Sequence, residues 1–149
     1  MKMTPTKTCP VVLRVRDEIE VLAFRHPVAG LQLVKGTIEK GESPQAGALR
    51  ELAEEAGILV ASITSDLGIW VSGYQGQVWS FHLCEVQEKT PDKWTHQTAD
   101  DGGQEFSFFW HPLSATVSPE WHSVFHGALA FIRKALTSHI WTLPTSSEE

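Results

Sequence analysis

The stretch Gly36–Ile58 constrains the fold more than any other part of the chain, because it fixes a helix, both helix ends and the chemistry of the helix faces. Ser43 followed by Pro44 is a strong helix start: serine caps free backbone amides, and proline takes the first helical position without forfeiting a needed bond. Gly57 is an equally clear stop. The spacing predicts a helix over Pro44–Ala56, and at about 100° per residue Leu49, Leu52, Ala53 and Ala56 gather on one side, facing a core. Glu51, Glu54 and Glu55 fall on the other side within an arc of roughly 100°. Like charges at this spacing repel and raise one another's proton affinity, so the arrangement costs stability unless something positive sits among them. Hard divalent cations with oxygen ligands fit that role, magnesium above all where phosphate oxygens complete the shell. Taken singly, each glutamate reads as an ordinary solvated helix former. Gly47 lies on nearly the same face one turn earlier, where a missing side chain lets backbone or substrate come close.

Arg50 and Glu42 flank the patch, and a planar guanidinium can hold carboxylates through paired hydrogen bonds. Read in order, the segment is Gly36, five residues, Glu42, seven residues, Arg50-Glu51-Leu52, one residue, Glu54-Glu55, one residue, Gly57-Ile58. This resembles the Nudix box with every fixed position filled, and agreement at so many positions sets it apart from a lone glycine motif. The order of strands before the box, hairpin after it, strand ending at Trp110 and C-terminal helix is also similar to that family. The resemblance implies an α+β Nudix fold, a mixed sheet sandwiched between helices in an α/β/α arrangement, with the box as loop, helix and loop. It implies Glu51, Glu54 and Glu55 as metal ligands, joined by a backbone carbonyl at Lys35 or Gly36, with Arg50 and Glu42 as the orienting pair. The cofactor would be Mg2+, with Mn2+ as a substitute, and water would attack a phosphorus of a diphosphate. Glu51, Glu55 and Glu105 are the candidates for general base.

Elsewhere the alternation of Val11, Leu13 and Val15 with Val12, Arg14 and Arg16 predicts a strand, and Ile19 to Arg25 a second one beyond a short turn. Leu31 to Val34 reads as a further short strand. Asp66–Tyr74 and Gln77–Val86 read as a hairpin joined at Gln75-Gly76. Gln87 to Gln104 is polar and long for an unstructured connection, either a mobile lid or plain surface. Glu105 to Trp110 is a last strand, and Ser118-Pro119 opens a second helix carrying Trp121, Val124, Phe125, Ala128, Leu129, Ile132 and Leu136. Residues 1–141 are expected to form one domain, with residues 142–149 a disordered tail.

At 149 residues and 42% hydrophobic positions the chain is large enough for one continuous core. A formal net charge of -6 argues against a sequence-blind grip on DNA or RNA, which needs a dense basic surface. No apolar run is long enough to span a bilayer and no leader precedes the first strand, so a cytoplasmic location is expected, with monomer and homodimer both open. Cys9 and Cys84 sit in strand-like apolar surroundings without metal-like spacing, which favours buried thiols over a disulfide. His122 and His126 are spaced i, i+4 but lack a third ligand. Of six tryptophans, Trp94 alone falls in the polar connection, where loop packing is favoured over stacking on a base.

The resemblance implies a small nucleotide as partner, with specificity set outside the box. Arg25, Lys35 and Lys40 are the basic residues nearest the box in sequence; Arg25 and Lys35 are candidate phosphate contacts. Tyr74, the chain's one tyrosine, stands where family members acting on diadenosine polyphosphates tend to carry theirs, although Val34 replaces the proline usual before their lysine-glycine pair. Nucleoside triphosphate pyrophosphatase is the alternative activity. A non-catalytic nucleotide sensor is disfavoured because every box carboxylate is present.

Overall fold

The computed structural model describes residues 3–99 and 102–138; the tail expected from residue 142 lies outside them. Eight strands and two helices follow in the order β1 (Lys7–Val15), β2 (Ile19–His26), β3 (Gly30–Gln32), β4 (Gly36–Thr37), α1 (Pro44–Glu51), β5 (Ala61–Val71), β6 (Val78–Val86), β7 (Trp94–Gln97), β8 (Glu105–Pro112) and α2 (Ser123–Ser138). Leu52–Ala56 continues α1 as a π-helical segment.

The strands run in the order β5-β6-β1-β2-β8-β7, with β3 beside β2 and β4 beside β1. Only β1 and β6 pair in parallel; the other ladders are antiparallel. β1 is shared between two sheets. Its first six residues pair with β6, and its last three, Leu13 to Val15, pair with β2. On that second side β1 has no ladder between Thr8, which pairs with β4, and Leu13; Pro10, which has no N–H to donate, sits in this gap.

Each face of the sheet carries its own core. Leu52, Ala56 and Ile58 pack with Val12, Leu22, Phe24, Cys84, Phe106 and Phe108 on the α1 side. Val124, Phe125, Ala128, Leu129 and Ile132 of α2 pack with Val11, Ala23, Trp79 and Phe81 on the other. The result is the mixed sheet between helices expected from the sequence. Cys9 and Cys84 are buried free thiols on opposite faces, and burial pushes the Cys84 thiol up to about 12. Among the described residues no helix is long and apolar enough to cross a membrane.

Four boundaries differ from expectation: the first hairpin strand, expected over Asp66–Tyr74, is β5 over Ala61–Val71, so Tyr74 lies beyond its end. The second helix starts at Ser123 rather than at Ser118-Pro119, because the backbone there is claimed by β3: the Leu31 amide donates to the Glu120 carbonyl at 3.0 Å and the His122 amide to the Leu31 carbonyl at 3.3 Å. His122 takes over the capping, its Nδ1 accepting from the Val124 amide at 3.3 Å. Leu33 and Val34 are buried without joining the ladder of β3. The connection 87–104 is partly sheet, since β7 pairs with β8. Trp94 stacks on Phe108 with centroids 5.1 Å apart, and its Nε1 donates to the Ala56 carbonyl at 3.0 Å. This is the packing role favoured for it.

Candidate active site

Local sequence sets α1 in place before any chemistry is considered. Ser43 Oγ accepts from the Ala46 amide at 3.0 Å, and Pro44 takes the first turn. At the other end Gly57, with φ 74°, closes the segment: its amide donates to the Ala53 carbonyl at 3.1 Å and the Ile58 amide to the Leu52 carbonyl at 3.2 Å. His96 Nε2 donates to the Glu54 carbonyl at 3.2 Å, so β7 grips the same end. The helix therefore spans the residues expected, with a widened last stretch from Leu52.

Arg50 organises the acidic face. Its Nε and Nη2 form a two-point contact with Glu42, at 2.7 and 2.9 Å, and Nη2 also donates to the Thr37 carbonyl at 2.9 Å. Nη1 reaches Glu51 at 2.8 Å and Glu54 at 3.1 Å. All five guanidinium donors are thus committed. The Arg50 guanidinium, helped by the Glu39 amide, holds the Glu42 carboxyl at about 2. Glu42 comes in over Gly47, where a Cβ would stand 2.9 Å from its Oε1.

Glu51 is buried, with 5% of its surface exposed. Its carboxylate presses against the Gly36 backbone so closely that any side chain at position 36 would collide with it. Burial raises the Glu51 pKa; Arg50 opposes the rise, the neighbouring Glu54 charge adds to it, and a hydrogen bond with Glu55 lowers it. Glu54 is partly exposed, at 45% of its side chain, and Glu55 turns its Oε1 inward away from solvent. Lys35 lies alongside, its ammonium 5.7 Å from the centre of the Trp79 ring. Burial and then Lys7 lower the Lys35 pKa, while Glu55 and Glu51 resist.

These residues suit a hard divalent cation. The donors are all oxygen, the innermost carboxylate is buried beside Arg50, and Gly36 brings its backbone against it without a side chain between. Among the described residues no three acidic, imidazole or thiol groups already converge on one point. Arg50 Nη1 instead lies between Glu51 and Glu54.

The remaining predicted residues belong to elements other than α1. Arg25 is exposed and ion-paired with Glu120 at 2.8 Å. Glu105 opens β8, exposed; it pairs with Gln97, and Ser107, two residues on, pairs with Arg25, which places Glu105, Ser107 and Arg25 on the sheet face away from Phe106 and α1. Tyr74 packs against the α2-side core with its hydroxyl 3.5 Å from His122 Nε2 and the two rings edge to face. Lys40 is exposed in the turn before α1. His122 is thus engaged by Tyr74 and the Val124 amide. Sequence reasoning passed over Thr37, His96 and the set Asp66, His82 and Ser80. The last was findable: Ser80 and His82 alternate on one predicted strand, and Asp66 lies across the hairpin from His82.

A mixed sheet with a carboxylate helix on one face, its acids gathered by one arginine, defines the class to which the chain should be compared. The NUDIX domain model matches residues 5–129, and the chain belongs to the Nudix family. It is 40% identical over 109 residues to Nudix hydrolase 25 of Arabidopsis thaliana, covering 61% of this chain and 62% of the relative. It is 41% identical over 61 residues to an ADP-ribose pyrophosphatase of Haemophilus influenzae, covering 38% of this chain and 28% of the relative. The chain thus spans 62% and 28% of these two curated relatives, less than two thirds of either. Among solved structures, an ADP-ribose pyrophosphatase from Streptococcus suis superposes with a TM-score of 0.66 at 17% identity, over 93% of this chain and 97% of that one. An Ap4A hydrolase from C. elegans gives 0.59 at 19% identity, over 91% and 98%. At such identities the likeness establishes the fold, and the Nudix fold is the one observed.

Proposed function

We propose that the chain hydrolyses a phosphoric anhydride bond in a nucleoside diphosphate derivative and requires a divalent cation, magnesium in the first place. The observation that carries this is the commitment of Arg50: one guanidinium fixes Glu42, Glu51 and Glu54 while Glu51 is held buried against Gly36. A helix face kept merely for solubility has no use for a buried glutamate. Glu51, Glu54 and Glu55, with the carbonyl beside Gly36, would hold the cation. When bound, it would neutralise charge building on the bridging and terminal phosphate oxygens and make water a better nucleophile. Arg50 and Glu42 keep the acids from collapsing on one another, and Lys35, half-buried beside Glu55, would meet a substrate phosphate. Glu51 and Glu55 adjoin the reacting region as bases; Glu105, also a candidate, opens β8 on the sheet face away from α1.

Relatives named ADP-ribose pyrophosphatase and RNA pyrophosphohydrolase support the anhydride and leave the attached group open. For that group we take a dinucleoside polyphosphate, on the sequence position of Tyr74, whose ring packs against the α2-side core and meets the His122 ring edge to face. The test is turnover of ADP-ribose, diadenosine tetraphosphate, nucleoside triphosphates and 5′-triphosphate RNA with Mg2+ in oxygen-18 water. Label is expected on a phosphate product. Label on the organic product, or no turnover of any of these with Mg2+ or Mn2+, would overturn the reading. Tyr74→Ala should lower kcat/KM for diadenosine tetraphosphate about ten- to a hundredfold, and leave a substrate without the second nucleoside nearly unchanged.

A further inference from the structure

Beneath the first turn of α1 lies a chain of polar groups that the proposed chemistry does not use. Ser80 Oγ is 2.7 Å from His82 Nε2, and His82 Nδ1 is 2.7 Å from Asp66 Oδ1. Gln45, in the first turn of α1, donates to the other oxygen of Asp66 at 3.0 Å. On the neighbouring strand Thr8, which pairs with Ser80, donates to the Pro44 carbonyl at 2.7 Å. The order Asp66, His82, Ser80 is that of an acyl-transfer relay, in which a buried aspartate backs a histidine and an open serine attacks. Here the burial is inverted. Ser80 is 5% exposed and His82 2%, whereas 57% of the Asp66 side chain is open to solvent. No substrate reaches the serine, so the set is not a second hydrolytic site.

We propose that His82 is a positioning residue for the carboxylate helix, tying the first turn of α1, through Asp66 and Gln45, to the strand β6. This rests on the reading of α1 as the helix that holds the cation. The faces of α1 and the sheet meet through Leu52, Ala56 and other apolar side chains, which fix their separation but resist sliding and rotation only weakly. Hydrogen bonds are directional, and two independent ones end on Pro44 and Gln45. Three buried polar residues in an otherwise apolar layer, Thr8, Ser80 and His82, would be replaced at little cost by apolar ones if filling space were their only task. With a carboxylate at Nδ1, the ring carries its proton there, and Nε2 accepts the Ser80 hydroxyl. The axial position fixed at Gln45 is transmitted along a rigid helix to Glu51, roughly 9 Å on at 1.5 Å per residue, and so to the contact between Glu51 and Gly36.

Asp66→Ala removes both ends of the link at an exposed position, where folding should survive, and Asp66→Asn retains an acceptor for His82. For Asp66→Ala we expect Mn2+ affinity, read by paramagnetic resonance of the free ion without nucleotide, to fall about tenfold. Under saturating Mn2+, kcat on the best substrate should fall by about as much, with KM within twofold and Asp66→Asn close to the parent. His82→Gln, which loses the Asp66 partner, should follow Asp66→Ala. Folded Asp66→Ala with Mn2+ affinity and kcat both within twofold of the parent would overturn the proposal. If the unmutated chain itself bound no Mn2+, the cation reading would fail first. Amide exchange would then decide the positioning role alone: faster exchange across Ala48–Leu52 in Asp66→Ala supports it, and unchanged protection overturns it.

Discussion

Burial and Arg50 pull the Glu51 carboxyl in opposite directions, and burial wins, leaving its folded pKa above the ordinary 4.5. A folded-state pKa raised in this way adds stability below the unfolded value and withdraws it as pH climbs through the folded one. Above the ordinary carboxylate range Glu51 therefore weighs against the cation-free fold. Glu51→Gln should raise the melting temperature of metal-free protein at pH 7 to 8, while abolishing turnover and the stabilisation that added Mg2+ brings. Thermal melts with and without Mg2+ check this; a lower metal-free melting temperature would contradict it. Glu54 is open to solvent, so Glu54→Gln should leave the metal-free melt unchanged and still cost at least a hundredfold in kcat. Activity within about tenfold of the parent, near 1.4 kcal/mol of transition-state free energy, would remove Glu54 from the site. Almost all of the Arg50 cluster was legible in sequence, because Glu42, Arg50, Glu51, Glu54 and Glu55 stand on one helix and the turn before it. Thr37 was not, since it takes part through its carbonyl, which every residue possesses. Nor were the partners of Arg25, Tyr74 and Glu105, which depend on how segments far apart in sequence are brought together.

At the scale of elements, the limits of α1 were readable from Ser43-Pro44 and Gly57, but the widening at Leu52–Ala56 was not. Nothing in those five residues disfavours an ordinary helix. The bonds to their carbonyls come from Trp94 and His96, remote in sequence and paired into the sheet by β8. In the same way the Ser118-Pro119 signal was genuine turn chemistry, overruled as a helix start by the hold of β3 on Glu120 and His122. Gly57 joins both kinds of information. Its φ of 74° disfavours any side chain, and a Cβ there would also stand 2.8 Å from His96 Nδ1. Gly57→Ala should then cost more than the roughly 1–2 kcal/mol of a left-handed alanine. In a His96→Ala background the collision is gone and only the backbone cost remains. A double-mutant cycle by urea melts would show the two substitutions coupled; simple additivity would mean that His96 moves aside freely.

For the molecule as a whole, acid should act in two stages. Burial, and after it Arg133, lower the His111 pKa from 6.5, and its Nε2 has no hydrogen-bond partner among the described residues. Stability from a depressed pKa is complete above the unfolded value and lost as pH falls, so His111 begins to weigh against the fold below pH 6.5. Glu42, held at about 2, adds its loss between pH 4.5 and 2. Glu51 slopes the other way, so the measurement is a difference: against the parent, His111→Phe should flatten urea stability in the upper range alone, and Glu42→Gln in the lower alone. A matching change in both ranges from either variant would contradict the assignment. The two-sheet path of β1 bears on a different matter, the order in which a ribosome delivers the chain. The first bond joining this strand to β6 spans 72 residues, from Thr6 to Val78. At ~5–20 residues per second, β1 is synthesised about four to fourteen seconds before that partner. Until then Val11 and Val12 form a nascent apolar segment with neither flank paired, and Lys7, Pro10, Arg14 and Arg16 are placed to keep it from adhering to other chains in the interval.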